Sequence, residues 1–184
     1  MKKNWYIKSM ENKYLDEAAQ LVEEVFSESE GADSGKTVKQ LVLEIRRKQF
    51  YLPELELIMV DENDTILGYA MFSRFHLGKK YENELLLLSP VAVKTKFQRQ
   101  HISKELIEFG FKKAVGMGYK AVLVEGNPRN YNPRGFQTSR DFGIVAGPDL
   151  SLPAPECLMV KELVDGALDD MEGVVDYSDY ESLT

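Results

Sequence analysis

The sequence has a single cysteine and no long apolar run. Cys157 alone excludes an intramolecular disulfide and a cysteine-based metal cluster, and this scarcity is typical of a reducing compartment. The longest apolar runs, residues 85–88 and 121–124 among them, are far shorter than the roughly 20 residues that cross a bilayer. The N-terminal residues lack the apolar core of a signal peptide. We therefore expect a soluble, cytoplasmic protein without a metal centre and without a membrane segment.

Excess positive charge is also absent. The chain carries 23 lysines and arginines against 30 aspartates and glutamates, a net charge of −7. Seven of the acids lie in residues 165–184, which contain no lysine or arginine, so the remaining 23 acids (30 − 7) balance the 23 cations. A balanced chain has no broad basic face, which argues against nucleic acid as a partner. We expect this acidic end to be solvated, except where Val174, Val175, Tyr177 and Tyr180 favour packing as a strand.

The length of 184 residues suits one domain with a hydrophobic core, and we expect residues 1–184 to form it. Apolar residues at three- and four-residue spacing predict amphipathic helices, and alternating or continuous apolar runs predict strands. The predicted helices cover residues 14–26, 37–48 and 103–117, with a break at 31–35, and the predicted strands cover residues 54–61, 65–72, 85–93, 121–124, 143–146 and 157–161. The first two strands form an antiparallel hairpin, whereas the strand–helix–strand order of residues 85–125 requires a parallel pair. The predicted fold is therefore α+β with a mixed sheet.

Four cations cluster between the third predicted strand and the helix that follows it. Lys94, Lys96, Arg99 and Lys104 occur there with no carboxylate until Glu105, in a chain that is acidic overall. Unpaired amides at a helix start carry partial positive charge, so a pyrophosphate bound there gains directed hydrogen bonds and the helix dipole. An ordinary exposed loop with solvated lysines explains the same charges. The charge pattern alone leaves both interpretations open.

The same segment resembles a family motif. Residues 90–107, PVAVKTKFQRQHISKELI, are similar to the coenzyme A motif of the GNAT N-acetyltransferase superfamily. In that motif a Pro-Val-Ala-Val strand end is followed by Gln or Arg, two variable residues, Gly, one variable residue, and Gly or Ala. Gln98 takes the first motif position, but His101 and Ser103 take the two small-residue positions, where glycine lets the backbone approach a pyrophosphate. This departure leaves a second interpretation open, a degenerate GNAT-fold module without transfer activity that binds another ligand or a protein partner.

A second stretch, residues 125–136, reads EGNPRNYNPRGF and resembles a motif of a bacterial GNAT subgroup, Gly-x-Pro-x-x-Tyr-x-x-x-Gly-Phe. The matching residues are Gly126, Asn127, Pro128, Tyr131, Gly135 and Phe136. Asn130 stands where a first tyrosine is common, and Pro133-Arg134 replaces a usual Arg-Phe pair. The resemblance spans nearly the whole chain and is strongest over residues 86–136.

The resemblance implies a GNAT-type three-layer α/β/α fold with a central mixed, largely antiparallel sheet. It implies direct transfer of an acetyl group from acetyl-CoA to a primary amine of a small molecule or a protein, with a homodimer as a possible assembly. Tyr131 is the implied general acid, and Glu84 and Glu125, which flank predicted strands, are candidate general bases. The implied coenzyme contacts are Val91, Ala92, Val93, Gln98, Arg99, Gln100, His101, Ile102, Ser103, Lys104 and Asn127.

Overall fold

The structure, a computed structural model, describes residues 3–184. Four α-helices and nine strands form this part of the chain, and short 3₁₀ turns connect several of them. In chain order the elements are β1 (Tyr6–Ser9), α1 (Leu15–Glu30), α2 (Ala32–Arg46), β2 (Glu56–Val60), β3 (Ile66–Arg74), β4 (Leu85–Val93), α3 (Ile102–Gly116), β5 (Ala121–Glu125), α4 (Pro128–Tyr131), β6 (Gln137–Thr138), β7 (Ile144–Ala146), β8 (Leu158–Glu162) and β9 (Gly173–Val175). No helix among these described residues is long and apolar enough to cross a membrane.

Seven strands form one mixed sheet in the order β1-β2-β3-β4-β5-β8-β6. Only the β4–β5 pair of this sheet is parallel, as the strand–helix–strand order of the sequence requires. Successive side chains along a strand point to two different hydrophobic clusters. Leu85 and Leu87 belong to the cluster that includes α1 and α2, whereas Leu86 and Leu88 belong to the cluster under α3. Helices thus cover both faces of the sheet, and the predicted α/β/α fold is confirmed.

The break between the first two helices is shorter than predicted. Gly31 alone separates them, with a φ of 101°, and α2 starts at Ala32 rather than at residue 37. Gly35 lies inside α2, where a Cβ atom would sit 1.9 Å from the Oγ of Ser27. This glycine is therefore required by the close approach of α1 and α2, and its interpretation as a helix breaker is wrong.

The predicted strands are confirmed within a few residues, but two short edge strands escaped prediction. The pairing of β1 with β2 extends the sheet at one edge, and β6 pairs with β8 at the other. Each is four residues long or shorter and only partly buried, so neither carries a clear apolar period. The tail strand expected from Val174 and Val175 is confirmed as β9, which pairs in parallel with β7 in a separate two-stranded sheet.

A gap opens in the sheet at the end of β4. The β4–β5 pairing covers residues 85–87 and 121–123, whereas β4 continues to Val93 and β5 to Glu125. On its other side, β4 contains a bulge, because three residue steps from Leu88 to Val91 face only two steps from Phe72 to Ala70. The end of β4 therefore leaves its parallel neighbour, and the backbone there becomes available to a ligand.

The C-terminal segment, residues 176–184, folds back onto α2. Tyr180 is buried and packs against Phe50 and Phe75. The Glu44 carboxylate accepts hydrogen bonds from the backbone N–H groups of Glu181 and Ser182, each at 2.9 Å. The seven acidic side chains of residues 165–184 are exposed, as expected, but the chain that carries them is docked through its aromatic residues and its backbone.

The hydrogen bonds between Glu44 and the C-terminal segment predict that acid lowers the stability of the fold. Burial disfavours the charged carboxylate, but hydrogen bonds from Lys48, Ser182 and Glu181 outweigh it and lower the pKa of Glu44 to about 2. A lowered pKa stabilises the fold above the unfolded-state pKa near 4.5, and this contribution is lost as the pH falls from about 5 to about 2. We expect Glu44→Gln to lower the free energy of unfolding at pH 7 by about 1.5–3 kcal/mol, the usual range for hydrogen bonds to a charged group.

Urea denaturation at pH 7, 4 and 2.5 measures this effect. The difference between the wild type and Glu44→Gln should shrink steadily as the pH falls, because unfolding then lets Glu44 bind a proton that the folded protein takes up only near pH 2. The exposed Glu24 on α1 provides the matched control, and Glu24→Gln should change the stability by less than about 0.5 kcal/mol. A pH-independent difference between wild type and Glu44→Gln would contradict the assignment.

Candidate active site

A cleft of about 650 Å³ lies where β4 separates from β5. Three parts of the chain form its walls: the last turns of α1, the segment from the end of β4 into α3, and α4 with the turn that follows it. The lining residues are Val25, Phe26, Ser29, Val91, Ala92, Val93, Phe97, Gln98, Arg99, His101, Ile102, Ser103, Ile107, Asn130, Tyr131 and Arg134. Not one of them carries a carboxylate, although acids outnumber cations in the chain as a whole.

The loop between β4 and α3 is held in an unusual backbone conformation. Arg99 and His101 both adopt positive φ angles, 60° and 68°. The left-handed region is open to glycine at little cost but disfavours other residues, so a glycine at the position of His101 would fit this backbone without strain. The Gln98 side chain stabilises the loop by donating from Nε2 to the carbonyl oxygen of Val93 at 3.1 Å. The left-handed backbone conformation at this position explains why the family motif has glycine there. His101 adopts the same conformation in this chain.

The first turn of α3 points into the same cleft. His101 precedes the helix without a side-chain cap, and the first intrahelical bond runs from the Glu105 N–H to the His101 carbonyl. The amides of Ile102, Ser103 and Lys104 therefore have no partner inside the helix. Free amides and the positive end of the helix dipole suit a phosphate group at this position.

Tyr131 is positioned by the second motif. Asn127 caps α4 by accepting the Arg129 N–H at 3.0 Å, which fixes the start of this short helix. The Tyr131 ring then packs edge-to-face on Phe136 and directly over Gly126, where a Cβ atom would lie 2.6 Å from the ring. Any larger residue at position 126 would displace the ring. The glycine, asparagine and phenylalanine of the motif therefore serve one purpose, the placement of Tyr131.

The environment of Tyr131 favours its protonated form. Burial raises the pKa of the Tyr131 phenol, while the nearby positive charge of Arg134 acts in the opposite direction and partly offsets the rise. A tyrosine with a raised pKa keeps its proton at neutral pH. The side chain can therefore donate a proton or a hydrogen bond into the cleft, but it is poorly suited to act as a base.

Arg134 is a site residue that sequence reasoning missed. It lines the cleft beside Tyr131, its Nη2 donates to the Ser103 Oγ at 3.2 Å, and its Nη1 donates to the Asn130 carbonyl at 2.5 Å. The only signal in the sequence was the replacement of Arg-Phe by Pro133-Arg134, and nothing in that signal indicated where the side chain would point. Its contact with Ser103 crosses from one motif to the other.

Comparison with known proteins identifies the family. The model of the acetyltransferase (GNAT) family matches residues 15–136, about two thirds of the 184-residue chain. The chain belongs to the GNAT acetyltransferase family. It is 27% identical over 144 residues to the uncharacterized N-acetyltransferase YhbS of Escherichia coli K12, covering 77% of this chain and 81% of that protein.

Solved GNAT structures share the fold. The structure of YhbS from Escherichia coli in complex with CoA superposes with a TM-score of 0.81 at 22% identity, covering 97% of this chain and 92% of that chain. A GNAT acetyltransferase from Brucella melitensis in complex with acetyl-CoA gives a TM-score of 0.73 at 20% identity, and 98% of each chain is covered. At these identities the likeness concerns the fold, and the roles of individual residues follow from the site itself.

Most of the implied coenzyme contacts come together in the GNAT cleft. Those that line it are Val91, Ala92, Val93, Gln98, Arg99, His101, Ile102 and Ser103. Gln100, Lys104 and Asn127 do not belong to the lining. The Gln100 side chain contacts Lys3, Lys104 is exposed at the start of α3, and the Asn127 side chain caps α4. The roles of all three residues as coenzyme contacts stay predictions, and Lys104 contributes one of the amides in the first turn of α3.

The two candidate bases lie in different places. Glu84 precedes β4, whereas the cleft is at the other end of this strand, roughly 20 Å away at about 3.3 Å per residue. Its carboxylate pairs with Lys120 at 2.8 Å. Glu125 ends β5 beside the gap, and its Oε2 accepts a hydrogen bond from the Tyr177 hydroxyl at 2.8 Å. Neither carboxylate lines the cleft: Glu125 directly precedes Gly126, on which the Tyr131 ring packs, whereas Glu84 lies at the far end of β4.

Proposed function

We propose that this GNAT protein transfers the acetyl group of acetyl-CoA to a primary amine of a small molecule or a protein. The observation that carries the proposal is the cleft itself, which opens at the β4–β5 gap and contains no carboxylate. One end offers Arg99, Arg134 and the free amides of α3 for phosphate groups, and Tyr131 supplies a proton donor. The residues fit an acyl-coenzyme A, whose polyanionic end needs cations and amides.

The proposed reaction is a direct attack. The neutral amine forms a bond to the thioester carbonyl carbon, the carbon–sulfur bond breaks, and the sulfur departs as a thiolate or thiol. Tyr131, which keeps its proton because of its raised pKa, donates to the departing sulfur. A backbone amide at the end of β4 hydrogen-bonds the oxygen that gains negative charge. These roles need no metal ion.

Glu125 is the better of the two candidate bases for this reaction. The amine must lose a proton in the attack, so a base or a water chain that leads to one is needed near the gap. Glu125 is the last residue of β5, beside the gap. The Tyr177 hydroxyl donates to its Oε2, and no hydrogen bond from residues 3–184 engages Oε1, which can accept a proton from the amine or from a bridging water. Glu84 is engaged by Lys120 at the far end of β4, and we assign it no part in the chemistry.

Titration calorimetry with acetyl-CoA tests the proposal first. We expect saturable one-to-one binding at micromolar to submillimolar ligand, followed by release of free thiol when a panel of amines is screened with acetyl-CoA. Thiol release above the hydrolysis background identifies the acceptor. No heat of binding even at millimolar acetyl-CoA would overturn the proposal.

The second candidate, a GNAT-fold module without transfer chemistry, is favoured by the position of His101. Its side chain replaces the small residue of the motif and borders the cleft beside the free amides. The variant His101→Gly separates the two functions, because glycine accepts the same φ angle and removes the imidazole. Binding by both proteins supports the transferase, whereas binding by His101→Gly alone supports the module.

A further inference from the structure

The guanidinium of Arg134 lies in the cleft, and no carboxylate in the described part of the chain pairs with it. Its Nε is buried and has no hydrogen-bond partner, and its two other contacts go to neutral oxygens of Ser103 and Asn130. Among the ion pairs of residues 3–184, none involves Arg134. A partly buried cation whose charge is not compensated is costly unless an anion joins it.

Arg46 shows how the same fold treats a buried guanidinium that has a structural role. Its side chain is 10% exposed and pairs with the fully buried Glu56, with Nη2 and Oε2 2.8 Å apart. Arg134 has no such acid, although the chain is acidic and its cleft borders three different segments. The contrast indicates that the partner of Arg134 is a ligand and that this ligand is negatively charged.

The position of Arg134 identifies which part of a ligand it meets. Its bond to the Ser103 Oγ holds the guanidinium beside the first turn of α3, whose free amides face the same space. Planar guanidinium groups bind phosphate oxygens through two parallel N–H donors, and Nη1 and Nη2 each carry a second N–H beyond the one given to Asn130 or Ser103. The turn that carries Arg134 is closed by the Gly135 N–H on the Asn132 carbonyl at 3.0 Å, so the side chain starts from a fixed backbone.

We propose that Arg134 binds the pyrophosphate of acetyl-CoA opposite the α3 amides, and that Ser103 is the positioning residue that aims it. The proposal rests on the proposed function and adds a specific charged contact from the segment after β5. It also explains two departures from the family motifs at once. Ser103 replaces a small residue and Arg134 replaces a phenylalanine, and these two side chains touch each other.

Calorimetry with the Arg134→Gln variant tests the contact. We expect the Kd for acetyl-CoA to rise about 10- to 100-fold, the usual effect of removing a hydrogen-bonded charge. Acetyl-dephospho-CoA, which keeps the pyrophosphate but lacks the 3′-phosphate, should lose affinity by the same factor. Arg134→Lys, which keeps the charge but not the planar fork, should lie between the wild type and Arg134→Gln.

Two further variants make the experiment specific. Arg129→Gln removes the same charge from an exposed residue on α4 and should leave both affinities within twofold. Ser103→Ala should weaken binding severalfold in the wild type but not in Arg134→Gln, because it acts through Arg134. Thermal unfolding of each variant confirms that it is folded, and Arg134→Lys carries the test if Arg134→Gln does not fold.

The outcomes distinguish this inference from the proposed function. If the wild type binds acetyl-CoA and Arg134→Gln and Arg134→Lys bind it equally well, the inference is overturned and the proposed function stands. A loss confined to acetyl-CoA and absent with acetyl-dephospho-CoA assigns Arg134 to the 3′-phosphate and also overturns it. Failure of the wild type to bind either compound overturns the proposed function itself.

Discussion

Replacing Tyr131 by phenylalanine is expected to lower kcat by about 100-fold or more while leaving the Kd for acetyl-CoA within about twofold. The change removes one oxygen, which is the atom proposed to protonate the departing sulfur, and general acid catalysis contributes about 10²–10⁴-fold. The ring should stay in place because its contacts with Gly126 and Phe136 are made by carbon atoms. Loss of turnover without loss of binding is the signature of an interaction made only in the transition state.

The measurement is steady-state thiol release with an acceptor amine from the screen, together with calorimetry on the same preparation. Tyr6→Phe is the matched control, since Tyr6 is 53% exposed on the edge strand β1 and should change neither quantity. The wild type should keep its kcat as the pH rises to 9, because the raised pKa of Tyr131 keeps the acid protonated. An unchanged kcat in Tyr131→Phe would remove this residue from the mechanism.

Replacing Glu56 by alanine is expected to lower the free energy of unfolding by about 3–5 kcal/mol, the usual cost of breaking a buried ion pair from one side. Glu56 is fully buried at the start of β2. Its carboxylate accepts from the Arg46 Nε at 2.9 Å and from the hydroxyls of Tyr51 and Tyr69, each at 2.5 Å. The variant leaves one charge and two hydroxyls in the core without their acceptor.

Tyr51 and Tyr69 belong to the same buried cluster as Glu56. Burial and the Glu56 charge raise the pKa of Tyr51 and of Tyr69, so both hydroxyls remain donors at neutral pH. Urea denaturation of Glu56→Ala at pH 7 measures the loss, with Glu54→Ala, an exposed neighbour, expected within about 0.5 kcal/mol of the wild type. The double variant Glu56→Met with Arg46→Met should be more stable than Glu56→Ala, because it removes both charges. A loss below about 1 kcal/mol in Glu56→Ala would contradict a buried ion pair.

The regular elements that form the cleft could be predicted from local patterns. α1 and α3 carry apolar residues at helical spacing, and β4 is a nearly all-apolar segment whose bounds, Leu85–Val93, match the prediction. The two motifs also indicated that the end of β4 and Tyr131 belong to one site. Such features depend on residues close together in sequence, where period and turn chemistry are directly visible.

The sequence by itself determined the α+β elements, the parallel crossover and the family. Only the tertiary structure decided which distant side chains meet. It placed Gly35 inside α2 because two helices approach closely there, and it separated Glu84 from the cleft because β4 runs its full length between them. It also brought Arg134 into contact with Ser103, 31 residues earlier in the chain. Because β4 and β5 are parallel, the segments that follow them, α3 and α4, begin at the same edge of the sheet. Contacts across the β4–β5 gap depend on strand direction and packing, which no local pattern encodes.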